Sequence, residues 1–196
     1  MPGRARYAAP CAGIRTRHAL KSVTAPLFQG TWYEDVAIGD TFEAALTVTE
    51  THIVLGAGLI GDFNPHHVDE QYAKRSRFGT RILHGVITSA IMGAAVGMRF
   101  HGTAIAYLEH GARFKAPVRA GDTLTTTWEI VAKVPKAKHG GGIVELAGAC
   151  RNQKGVVVAV ANGKMLVAAR AGEQGPDVGM RPKASRRRRP TGRHND

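Results

Sequence analysis

The run from His84 to Arg99 constrains the fold more than any other part of the chain. Ile87, Ile91, Ala94 and Met98 recur at spacings of four, three and four residues, a helical stripe. Val86, Ala90 and Ala95 carry apolar surface nearly all the way round, so the pattern predicts a helix buried on most sides. Sixteen helical residues span about 24 Å, enough to cross a small domain. Gly93 and Gly97 each cost about 1 kcal/mol relative to alanine in such a helix. Close approach of a sheet is the expected compensation.

The sequence on either side supplies that sheet. Residues 42–49 read as a strand rich in Thr, Val and Leu. Thr51 is a candidate cap for a short helix over 52–60, which Asp62 to Pro65 must break, because proline disfavours the α conformation in Asn64 before it. Asp69 opens another short helix. After residue 100 the chain turns strand-like over 103–116. Leu124, Thr126, Trp128 and Ile130 then alternate with Thr125, Thr127 and Glu129, which is period two. Gly140-Gly141-Gly142 separates this run from one reaching Cys150, and Asn152-Gln153-Lys154-Gly155 is a hairpin turn before a last strand over 156–169. A bulge is expected within that strand at Asn162-Gly163. One long helix and a series of strands joined by short turns imply an α+β domain, an antiparallel sheet curled around a helix.

Charge and composition divide the chain in three. Residues 1–30 hold five Lys/Arg and no acid, and residues 171–196 hold seven Lys/Arg against three acids. The body over 31–170 carries 15 basic and 12 acidic side chains, so the high isoelectric point belongs to the tails. Both tails are irregular and are expected to be disordered; nucleic-acid contact is the less favoured reading of the basic C-terminal tail, and nucleic-acid binding is not expected of the protein. No run reaches the roughly 18 apolar residues of a membrane span, and the N-terminus lacks the apolar segment of a secretory signal. Two cysteines, Cys11 and Cys150, make no disulfide framework, so a reducing cytoplasmic setting is expected.

The chemistry concentrates in Gly61-Asp62-Phe63-Asn64-Pro65-His66-His67-Val68-Asp69, followed by His84-Gly85 at the start of the long helix. Hydration of a 2-enoyl thioester needs a group to hold and deprotonate water, a group to deliver a proton, and donors for the oxyanion. Asp62 and His67 supply the first two if the turn between them is tight. The amides opening the helix at Gly85 lack intrahelical partners and favour negative charge, and glycine lets a thioester come close. Each residue also has a plainer reading. Asp62 alone is equally a turn residue bonding the Asn64 backbone. His67 alone is more often a satisfied, partly buried histidine than a catalyst, and His84 is a helix-start residue that could simply pack. His66, His67, Asp69 and His84 could be read as a metal cluster, but His-His-x-Asp lacks the i,i+4 spacing of a helical ligand pair, so no metal is expected.

Taken together, Gly61-Asp62-x-Asn64-Pro65-x-His67-x-Asp69, Tyr72-Ala73, Phe78-Gly79 and His84-Gly85 resemble the signature of the MaoC-like dehydratases, which include the (R)-specific enoyl-CoA hydratases. Trp32-Tyr33-Glu34-Asp35, Ile38-Gly39-Asp40 and Arg113-Phe114-Lys115-Ala116-Pro117-Val118 add weaker support, and the resemblance covers roughly residues 31–169. It implies a hotdog fold with the sheet wrapped round the 84–99 helix. It implies that Asp62 and His67 are the catalytic pair sharing one water, and that the Gly85 amide polarises the thioester carbonyl. Asn64, His84 and Asp69 would support them. No cofactor is implied. The implied partners are an acyl-CoA or acyl-carrier-protein thioester and a second copy of the chain. His66 departs from a position often aliphatic in the family, and Ile60 from one where a small hydroxyl residue is common; both bear on pocket shape. The implied reaction is reversible hydration of trans-2-enoyl-CoA to (R)-3-hydroxyacyl-CoA. A hotdog thioesterase and a non-catalytic acyl-binding subunit are the alternatives; the latter has no need of both Asp62 and His67.

Overall fold

The computed structural model describes residues 30–170. Its elements are β1 (Thr41–Thr47), α1 (Glu50–Ile60), α2 (Pro65–Val68), α3 (Glu70–Arg75), α4 (Gly85–Arg99), β2 (Ala104–Phe114), β3 (Thr123–Lys136), β4 (Gly141–Arg151) and β5 (Val157–Ala168), with single 3-10 turns at Tyr33–Asp35 and Ala137–His139. The strands form one antiparallel sheet in the order β1-β3-β4-β5-β2. The period-two pattern decides which face turns inward: Leu124, Thr126, Trp128 and Ile130 are buried on β3. They meet Met92, Val96 and Phe100 from α4 and its end, together with Val144, Leu146, Cys150 and Val158 from β4 and β5. Trp128 donates its indole N–H to the Met92 carbonyl at 3.0 Å, so this large side chain is buried with its polar atom satisfied. The sheet therefore curls round α4, the hotdog arrangement. Cys150 is a free thiol inside this core, and burial pushes its pKa up.

Several local expectations are corrected. The cap of α1 is Thr49, not Thr51. Thr49 and His52 form a reciprocal capping box, with the imidazole standing in for the usual Glu or Gln. Asp62 to Pro65 does more than break a helix. Gly61 ends α1 in the left-handed conformation (φ 73°), and Pro65 then opens the extra turn α2, capped by Asn64. Helix α4 is not buried on most sides of this chain. Val86 and Met98 are more than half exposed, and Ala90, Ala94 and Gly97 share their outward side. A methyl group at Gly97 would have nothing within 4 Å, and one at Gly93 would meet only ordinary contacts from Tyr107 and His110, so the sheet does not press on either. The close approach falls at Gly85 instead. Strand β5 runs unbroken through Asn162-Gly163; against β2 the extra residues are Ile105 and Leu108, on β2, and the irregularity of β5 itself is at Val158, opposite the Cys150/Arg151 step of β4. Gly141 and Gly142 belong to β4 rather than to a separating loop, because Val167 and Tyr33 leave no room for side chains there. Residues 1–29 and 171–196, with Cys11 and both basic tails, lie outside the described residues.

Candidate active site

The loop between α1 and α4 brings Asp62, His67 and His84 together, and each is held by backbone. Asp62 Oδ1 accepts the Asn64 amide at 3.1 Å, the turn role open to it from sequence. Its other oxygen, Oδ2, lies 3.8 Å from His67 Nε2. The turn reading and the acid/base reading thus use different oxygens of one carboxylate. Asn64 accepts the His66 amide at 3.2 Å as the cap of α2, which holds the one-turn helix carrying His67.

His67 is oriented from behind. Its Nδ1 lies 2.7 Å from the Ile82 carbonyl, which can only accept, so in the neutral ring Nδ1 bears the proton and Nε2 bears the lone pair facing Asp62. One face of the ring stacks on His84, with centroids 3.7 Å apart and planes at 27°. His84 is fully buried and donates Nε2–H to the Asp62 carbonyl at 2.9 Å. A single buried imidazole therefore fixes the backbone of one member of the pair and the ring of the other. His67 is 13% exposed and Asp62 48%, so the pair opens to solvent on the carboxylate side.

Gly85 is the first residue of α4, and its amide has no hydrogen-bond partner among the described residues. A methyl group at Gly85 would lie 2.9 Å from the Phe114 ring, which would have to shift to admit it. Two clefts share His67, Arg77, Phe78 and Ile82 in their walls. One, of about 320 Å³, is mainly apolar and runs from His67 and Gly85 to buried Leu83, Thr88, Val118 and Val158. The other, of about 590 Å³, is bordered by Asp62, Asn64, His66, His67, Ser76 and Arg77. His66 packs edge-on against Tyr72 and Phe78, so the unusual histidine shapes the second cleft's wall.

The remaining candidates sort by contact. Asp69 caps α3 through the Tyr72 amide at 2.9 Å and makes no bond to the pair. For a metal, donor atoms of Asp62, His67 and His84 lie within 4.8 Å of one another, while His66 and Asp69 are not in that group. His84 fits the role poorly. Its Nε2–H is committed to a carbonyl, and its Nδ1 faces α1, 3.4 Å from where a Gly56 methyl would sit. Sequence reasoning missed the Ile82 carbonyl and the Phe114 wall. Backbone acceptors leave no signal in a sequence, but Phe114 sits in the Arg113–Val118 string that carried part of the resemblance.

Comparison with known proteins places the chain in a family. Residues 35–147 match the MaoC like domain. An (R)-specific enoyl-CoA hydratase of Rhodospirillum rubrum is 41% identical over 107 residues, covering 55% of this chain and 74% of the relative. A 3-hydroxybutyryl-CoA dehydratase of Methylorubrum extorquens is 31% identical over 150 residues, covering 76% and 91%. Among solved structures, an R-hydratase from Pseudomonas aeruginosa superposes with a TM-score of 0.66 at 30% identity, over 73% of this chain and 89% of that one. The chain belongs to the MaoC-like dehydratase family.

Proposed function

We propose that the protein is a hydro-lyase that reversibly hydrates trans-2-enoyl-CoA to (R)-3-hydroxyacyl-CoA, with Asp62 and His67 acting on one water. The 3.8 Å between Nε2 and Oδ2 carries this reading. It is too long for a direct hydrogen bond and suits two groups that hydrogen-bond the same water. In the hydration direction, the pair takes a proton from that water as its oxygen bonds to C3. The proton then passes to C2, on the same face of the double bond. His67 is suited to the transfer because Nδ1 is tied to Ile82 and Nε2 alone turns over its proton. Negative charge that builds on the thioester oxygen meets the Gly85 amide and the start of α4. The apolar cleft ending at Val118 and Val158 receives the acyl chain. Asn64 and His84 hold the pair in place, and Asp69 holds α3 behind it. The relatives named as an enoyl-CoA hydratase and a hydroxybutyryl-CoA dehydratase support the reaction class.

Edge strand β2 exposes Ile105 and Leu108, and the outward side of α4 exposes Val86 and Met98. A second copy of the chain covers these surfaces in our reading, and light scattering of the purified protein checks it: a monomer would contradict it.

The function is tested by adding purified protein to crotonyl-CoA. Loss of the enoyl-thioester absorbance, no free thiol, and a 3-hydroxy product of R configuration are expected. Release of thiol, or an S product, overturns the proposal.

A further inference from the structure

The net positive charge of the folded body lies in the chain segments that supply most of the clefts' lining. Residues 61–85 and 111–119 hold seven Lys/Arg and three Asp/Glu, a net +4, whereas the rest of 31–170 holds eight basic and nine acidic residues. Two of the seven are satisfied structurally. Arg81 pairs with Glu50 and Glu70, at 2.6 and 3.3 Å. Arg119 donates to the Phe78 carbonyl and its amide to Asp122. Arg77 and Lys115 differ. Both line the cleft that contains His67 and Gly85, both are exposed, and neither pairs with an acid among the described residues. Arg77 comes from the loop after α3 and lies over the Phe78 ring at 5.0 Å, whereas Lys115 follows the end of β2, so the cations reach the cleft from separate elements. Burial runs the other way along the cleft: Leu83, Thr88, Val118 and Val158 at the inner end are buried.

We propose that Arg77 and Lys115 form an anion subsite at the mouth of the cleft that binds phosphate on the arm carrying the thioester. This rests on the hydratase reading and extends it. With the acyl chain directed inward and the carbonyl at Gly85, the arm must leave past the exposed end. A phosphorylated pantetheine arm brings its negative charge there. Unpaired surface cations cost little in the free protein, and a fork-shaped guanidinium beside an ammonium suits phosphate oxygens. Coenzyme A and an acyl carrier protein both present such a phosphate.

The test compares the wild type with the double variant Arg77→Gln, Lys115→Gln on three crotonyl thioesters: of coenzyme A, of phosphopantetheinylated carrier protein, and of N-acetylcysteamine, which has no phosphate. The ratio of kcat/KM for the coenzyme A ester to that for the N-acetylcysteamine ester should fall at least tenfold, mostly through KM. A parallel loss with the carrier-protein ester assigns the shared phosphate; a loss confined to the coenzyme A ester assigns that source. Equal changes on all three esters, or no change, overturn the subsite. Binding of free coenzyme A by calorimetry separates the two proposals. If wild-type protein turns over no thioester, the hydratase reading fails. A tenfold weaker affinity in the variant would still support the subsite, and equal affinity would overturn it.

Discussion

Two histidines sit against α4 in opposite circumstances. His67, at the first turn, commits Nδ1 to a carbonyl and leaves Nε2 facing a carboxylate and a cleft. His110, on β2 about one turn further along the helix, has both nitrogens engaged. Nε2 meets the Ser89 hydroxyl at 2.7 Å and Nδ1 the Tyr107 hydroxyl at 2.6 Å, with Trp128 nearby. Burial lowers the His110 pKa, although a backbone hydrogen bond with Ser89 works the other way, and burial pushes Tyr107 up to about 12. A Ser-His-Tyr string invites a catalytic reading, yet it is a closed network of satisfied groups tying helix to sheet. What separates His67 from His110 is an Nε2 with no direct hydrogen bond among the described residues, standing 3.8 Å from a carboxylate beside a cleft.

The comparison can be broken most sharply at His67 and Asp62. His67→Gln and Asp62→Asn should each lower kcat by at least about 100-fold in crotonyl-CoA hydration, the range of lost acid/base work, with little change in melting temperature. Gly85→Ala comes next. Its methyl would meet Phe114 at 2.9 Å, and displacing the helix start should cost about tenfold or more in kcat/KM, read from the same assay. His84→Phe keeps a ring against His67 but strips the Asp62 carbonyl of its donor. Denaturant titration should show a loss of about 1–3 kcal/mol, accompanied by a fall in kcat rather than a rise in KM. The smallest effect on turnover should come from His110→Phe, which costs about 1–3 kcal/mol of stability but leaves kcat near the wild-type value. His110 also has a pH signature. A base whose folded pKa is lowered gives stability that is complete above its ordinary value of 6.5 and is lost as pH falls through the lowered value. Melting temperatures should therefore drop below pH 6.5 in the wild type and drop less in His110→Phe.

The sequence made the fold legible wherever period and burial coincide. Alternation in β3 and the stripe of α4 are enough to imply a sheet round a helix. The same stripe overstated the burial of α4, because Val86, Ala90, Ala94 and Met98 are apolar whatever lies beside them: hydropathy registers a face that needs cover, not what covers it. Turn chemistry also misplaced the irregularity in the β2/β5 pair, since it resides in Asn162-Gly163 while the extra residues are Ile105 and Leu108, which look like ordinary strand. At the site, Asp62, His67 and Gly85 could be named because their chemistry is in their side chains or in a lack of one. His84 could be seen only as a supporting residue. Its stacking on His67 and its bond to the Asp62 carbonyl are relations across 17 and 22 positions, made partly with backbone, and the one-turn helix that aims His67 depends on an Asn64 cap that also reads as a plain turn.

The cooperation of Asp62 and His67 on one water is tested most directly by a double-mutant cycle in crotonyl-CoA hydration. Two groups that serve a single step are not additive, so the Asp62→Asn, His67→Gln double variant should be about as slow as the slower single variant. Losses that multiply in the double variant would show that the two side chains act independently and would contradict the shared-water mechanism.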